Sequence, residues 1–196
     1  ALGMSIPGSS SNLAVDQNNK ISADKKNDCI KSVAALFNLL KRGIRTRDIM
    51  TFEAFENAIT LVLALGGSTN AVLHLLALAH EAEVNLNLSD FERIAKKVPL
   101  IGNFKPFGKY VMADLHAIGG VPMVMKMLYA NGLINGKCLT VTGKTISENL
   151  KNSPKNPKDQ DIIYSLDAPI ASAEHHLVIM HGNLAKDGAV MKLSGK

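Results

Sequence analysis

Tryptophan is absent from this chain, cysteine occurs twice, and aromatic residues make up 5% of it. Two cysteines so far apart, Cys29 and Cys138, build neither a disulfide framework nor a zinc site by themselves. Such low usage fits a reducing compartment. Both read as small core hydrophobes, Cys29 on a helix and Cys138 at the start of a strand. No apolar run reaches the ~18 residues expected of a membrane span. The opening ALGMSIPGSSSN lacks the basic start and apolar core of a signal peptide. The expected location is cytoplasmic, or an organelle matrix in a eukaryote, with no membrane partner. The opening also lacks an initiator Met, and the chain stops straight after an alternating apolar run. We therefore expect an internal piece of a longer protein.

Catalytic signatures are scarce too. GKT at Gly143, Lys144 and Thr145 lacks the leading glycine of a phosphate loop. HEAEV, starting at His80, lacks the second histidine of HExxH. His74 and His80 face different sides of a helix. His175 and His176 read as strand neighbours pointing to opposite faces. Asp114 and His116, two apart on a helix, do not face each other. These histidines read as structural or surface residues, and no metal ligand is assigned. The net charge is +5, with lysines and arginines scattered in mild clusters at Lys25-Lys26, 41–47 and Lys96-Lys97. These sit beside helix faces or ends, where cations are favourable. No basic stripe interleaved with aromatics is present, so no nucleic-acid partner is expected.

What the chain does have is helix punctuation. LALGGSTNAVLHLLALA, residues 63–79, joins two apolar segments through glycines and small polar side chains. Gly66 and Gly67 stop the first helix, and Ser68 caps the second, with Thr69 and Asn70 beside it. One reading is a capped turn between packed helices. The other is an anion site, because a helix start presents free N–H groups and the positive end of its dipole.

Around it, residues 1–20 read as loop, with a polar turn at Pro7-Gly8-Ser9-Ser10-Ser11. Ile30, Val33, Ala34, Phe37 and Leu40 recur at helical spacing, which predicts a helix over 25–42 ended by Gly43. Helices are expected over 52–65 and 70–83, apolar on most faces and hence buried. Ser89 and Glu92 have capping-box spacing and open a helix to about Lys97. A loop over 99–108 leads to a short helix over 109–118. Gly119-Gly120 breaks it, and Pro122 marks the start of a helix that ends near Asn131-Gly132. CLTVT (138–142) is strand-like, and a short helix runs to about Leu150. KNSPKNPKDQD (151–161) is a polar linker and the best domain boundary. HHLVIMH and GAVMKLSG then read as two strands opening an all-β unit.

Six stretches, in order, resemble the dihydroxy-acid dehydratases, within the group that also holds 6-phosphogluconate and sugar-acid dehydratases. They are ALGMSIPGSSS (1–11), RDIMTFEAFENA (47–58), LALGGSTNAVLHLLALA (63–79), GKYVMADLHAIGGVPMVMKML (108–128), GLINGKCLTVTGKTISENL (132–150) and GNLAKDGAVMKLSG (182–195). The resemblance implies a hydro-lyase that converts 2,3-dihydroxy acids to 2-keto acids in valine and isoleucine synthesis. It implies an iron–sulfur cluster, 2Fe–2S or 4Fe–4S, and Mg²⁺. It implies an α/β fold: residues 1–152 as the mainly helical C-terminal part of an α/β N-terminal domain, and 153–196 as linker and first strands of a β-barrel-like C-terminal domain.

The family's cluster cysteines, Mg²⁺ ligands and serine base lie in motifs this chain does not contain. Cys29 and Cys138 do not occupy cluster positions, so the chain alone is expected to bind no cluster and to be inactive. Ser9, Ser10, Ser68, Thr69 and Asn70 are the candidate substrate contacts, on the strength of small polar groups and a helix start. Lys186 stands where GNLAPDG has proline, and Ile118 where a KAGG-type turn is usual; both are turn or surface variation. Asn70-Ala71 fits the dihydroxy-acid branch better than the phosphogluconate branch, where histidine follows the asparagine. A sugar-acid or 6-phosphogluconate substrate is the alternative within the family. A non-catalytic helical interaction domain is the alternative outside it. In that last reading the helix pair over 52–65 and 70–83 builds a dimer interface; the expected assembly of the enzyme is a homodimer.

Overall fold

A computed structural model describes residues 1–193. Its helices are α1 (Ala23–Arg42), α2 (Thr46–Ile49), α3 (Phe52–Leu65), α4 (Thr69–Glu81), α5 (Leu88–Ala95), α6 (Met112–Ala117), α7 (Gly120–Ala130) and α8 (Ile146–Leu150). Strands β1 (Leu177–Gly182) and β2 (Ala185–Lys192) follow and pair antiparallel, Leu177 opposite Lys192. The chain is thus α/β and mostly helical, with one two-stranded sheet among the described residues. The last two residues of the expected strand GAVMKLSG, Ser194 and Gly195, lie outside the described residues.

The core is built around α3. The Thr51 side chain caps it by accepting the Ala54 N–H, and Ala54, Phe55, Ile59 and Ala64 are wholly buried. It packs against α4 and α5, and α5 packs in turn against β1. α3 ends at Gly66, whose φ of 75° is the left-handed conformation that favours glycine. The Gly67 N–H reaches back to the Val62 carbonyl at 2.8 Å.

Several expectations need correction. Cys29 is exposed, not a core residue. The stripe that predicted α1 also points outward: Ile30, Val33, Phe37 and Leu40 are all more than half exposed, and only Asp28 of this helix is buried. Periodicity finds a stripe without saying what faces it. α1 is instead held by polar contacts, Asn12 to Asp28, Asn38 to the Thr142 carbonyl and Arg42 to the Gly143 carbonyl. α4 is buried only along Val72, Leu75 and Ala79, while Leu73 and Leu78 are exposed. The cap of α5 is Asn87 with Asp90, not Ser89 with Glu92. The Asn87 side chain accepts the Ser89 N–H, so Ser89 is already inside the helix.

α6 is shorter than the expected 109–118, because the Asp114 carboxylate accepts the Val111 N–H and starts the helix there. α2 went unread among the basic residues 41–47. Cys138 is buried as expected, but CLTVT forms no strand. Leu139 makes one isolated bridge to Thr145, and Thr140 folds back on the Lys144 carbonyl. His175 and His176 lie just before β1 rather than on it. Residues 151–161 form a loop, after which Ile162 and Ile163 are buried and Ile163 bridges Gly102. No helix among the described residues is long and apolar enough to cross a membrane.

Candidate functional site

The serine turn and the glycine turn meet across one cavity. The Ser9 N–H donates to Ile6 O and the Ser11 N–H to Gly8 O, both at 3.0 Å, which closes the turn. The buried Ser11 hydroxyl donates to Gly8 O and accepts the Val121 N–H, each at 3.2 Å, pinning the turn to the first residues of α7. Ser9 is half-buried, and its carbonyl accepts Lys25 Nζ at 2.5 Å. Ser10 is exposed and lines two cavities, of about 200 and 580 Å³. The larger one also takes in Gly66, Gly67, Lys105, Tyr110 and Val121.

Ser68 caps α4, its hydroxyl accepting the Asn70 N–H at 3.1 Å. Ser68 and Asn70 are exposed and Thr69 is half-buried. The larger cavity is lined by Gly66 and Gly67 rather than by these three side chains. The structure therefore brings Ser10 and the Gly66-Gly67 turn to one hollow, with Ser68, Thr69 and Asn70 following directly after it.

Three residues outside the sequence-derived candidates matter here. One is Ser11, the buried member of the serine run. The others are His176 and Lys192, from the ends of the hairpin. His176 Nε2 lies 2.9 Å from the Gly67 carbonyl, and Lys192 Nζ lies 3.2 Å from the Gly66 carbonyl. Burial pushes the His176 pKa below its ordinary value, with a smaller push from Lys192. The neutral ring then donates through Nε2–H. Burial lowers the Lys192 pKa as well. At the cavity rim the Tyr110 hydroxyl donates to Asp161, which holds that carboxyl below the usual carboxylate range. No local pattern marks His176 and Lys192, since their partners lie more than a hundred residues away.

An iron–sulfur cluster needs thiolates, and Mg²⁺ needs a converging set of oxygen ligands. Cys29 is exposed, while Cys138 is buried and its sulfur accepts Asn57 Nδ2 at 3.4 Å. Burial raises the Cys138 pKa, which disfavours the thiolate that a metal needs. Among the described residues no group of three or more His, Cys, Asp or Glu side chains is placed to hold a metal ion. The side chains present do not fit either group.

Residues 1–149 match the family model described as dihydroxy-acid/6-phosphogluconate dehydratase N-terminal. The chain belongs to this family. It is 56% identical over 196 residues to a dihydroxy-acid dehydratase of Ruthia magnifica subsp. Calyptogena magnifica, with all of this chain and 34% of that protein covered. It is 55% identical over 196 residues to the enzyme of the same name from Methylococcus capsulatus, again covering the whole chain and 34% of the relative. With the Flavobacterium psychrophilum dihydroxy-acid dehydratase the identity is 51% over 195 residues, at the same coverage. The chain thus spans about a third of the length of these relatives. As a dehydratase-family segment, it carries the Ser10 and Gly66-Gly67 hollow inside the matched region.

Proposed function

We propose that the protein containing this chain removes water from 2,3-dihydroxy acids to give 2-keto acids in valine and isoleucine biosynthesis. One observation carries this reading: identity of 56% along the whole chain to a protein named dihydroxy-acid dehydratase. The hollow supports it in kind. The Ser10 hydroxyl at that hollow, with Ser9 next to it in the turn, suits the hydroxyls of a polar acid. The start of α4 at Ser68, Thr69 and Asn70, which follows the Gly66-Gly67 turn that lines the hollow, suits its carboxylate, because the positive end of the helix dipole favours an anion. The cluster and Mg²⁺ take their ligands mainly from parts of the parent protein outside this chain. The chain alone is then inactive. Residues 1–152 belong to the α/β N-terminal domain, and residues 153–196 begin the β-barrel-like one. The parent works as a homodimer in the cytoplasm or an organelle matrix.

The test is keto-acid formation by the full-length, anaerobically purified parent with Mg²⁺. We expect 2,3-dihydroxy-3-methylbutanoate to be preferred over 6-phosphogluconate and an aldonic acid. Preference for a sugar acid would retain the family and change the pathway. No turnover with a full iron complement would overturn the enzyme reading. In the same protein, Thr69→Val and Asn70→Ala should each raise KM about tenfold, the scale of one lost hydrogen bond to a charged group. Unchanged KM and kcat in both would remove these residues from the substrate site.

A further inference from the structure

We propose that His176 and Lys192 are positioning residues. Together they latch the Gly66-Gly67 turn and so fix where Ser68, Thr69 and Asn70 stand. The inference rests on the reading of those three as substrate contacts.

The end of a helix leaves carbonyls without intrahelical partners, and paired glycines give the chain its greatest conformational freedom. Without anchors, the segment after α3 would sample many directions for the start of α4. Here successive carbonyls are both engaged. Gly67 O accepts from His176 Nε2 at 2.9 Å and Gly66 O from Lys192 Nζ at 3.2 Å. The two donors belong to one unit. Leu177, next to His176, pairs with Lys192 across the hairpin, and the Leu193 N–H donates to the His176 carbonyl at 2.8 Å.

The latch is also packed. His176 is 6% exposed, and a side chain built on Gly66 would meet Leu100 Cδ1 at 3.1 Å and His176 Cε1 at 3.7 Å. The Lys192 ammonium lies 5.0 Å from the centre of the Phe107 ring, which holds its other side. A hairpin that follows the linker thereby sets the backbone of a turn between two helices of the preceding segment.

The experiment uses the full-length parent and the variants His176→Leu, His176→Gln and Lys192→Met. Hydrogen exchange of the peptide spanning 62–72 is followed by mass spectrometry without substrate, and kcat and KM are measured separately. Loss of a donor should speed exchange about tenfold in His176→Leu and Lys192→Met. KM should rise about fivefold to tenfold with kcat within about threefold. His176→Gln keeps an N–H donor and should restore both readouts to within about twofold. Lys192→Met changes the less buried end of the latch and keeps the test open if His176→Leu fails to fold. Unchanged exchange in folded Lys192→Met overturns the latch. Faster exchange with unchanged KM overturns the positioning role, while leaving the dehydratase activity standing. Absence of turnover in the unsubstituted parent defeats the dehydratase reading by itself, because the exchange pattern is read without substrate.

Discussion

Phe55→Ala is expected to lower stability by about 3–5 kcal/mol, the range for truncating an enclosed aromatic side chain. Phe55 is wholly buried on α3, the helix that contacts both α4 and α5. Its buried neighbours on that helix are Ala54, Ala58 and, one turn on, Ile59, which is itself fully enclosed. Alanines cannot swing into the vacated space, and a helix backbone flanked by two others cannot close it. The cavity therefore persists and its lining loses dispersion contacts. The same truncation at Leu73, 66% exposed on α4, should change stability by less than about 0.5 kcal/mol. Urea unfolding of the parent and both variants checks the pair. A loss below about 1 kcal/mol at Phe55 would mean that the site collapses freely.

Gly120→Ala should cost about 2–4 kcal/mol and weaken substrate binding as well. Two effects combine. Gly120 has a φ of 68°, which an L side chain adopts at a cost of about 1–2 kcal/mol. The added methyl would also run into the Ser11 hydroxyl. Ser11 must then leave the Val121 N–H, and an unpaired buried donor costs about 1–3 kcal/mol. Displacing Ser11 moves the serine turn, and with it Ser10 at the cavity. Thermal unfolding together with KM reads both effects. A rise in KM with unchanged stability, or the reverse, would separate the turn from the helix start it leans on.

Most helix positions are legible from local signals, although the equally local caps at Asn87 with Asp90 and at Val111 with Asp114 are misplaced by pattern alone. α3 runs over the expected 52–65: Gly66 marks its end in the sequence, and the structure adds Thr51 as its cap. Ser68 capped α4 as read. Burial was less legible, because a stripe such as Ile30, Val33, Phe37 and Leu40 says that a face is apolar and not what meets it. CLTVT has strand composition, yet strand formation depends on a neighbour, and Leu139 finds only one bridging residue. The candidate site was half legible. Gly66, Gly67 and Ser10 announce themselves as turn residues. His176 and Lys192 do not, because a hydrogen bond to a backbone carbonyl leaves no pattern in the partner's side chain.

The two anchored glycine carbonyls also carry a schedule. His176 is 109 residues beyond Gly67, and Lys192 is 126 beyond Gly66. At about 5–20 residues per second on a ribosome, the turn exists for about 6 to 25 s before its second anchor has been made. Through that interval the turn between α3 and α4 is held by its own backbone bonds alone, and the side-chain donors that fix its carbonyls arrive only with the hairpin.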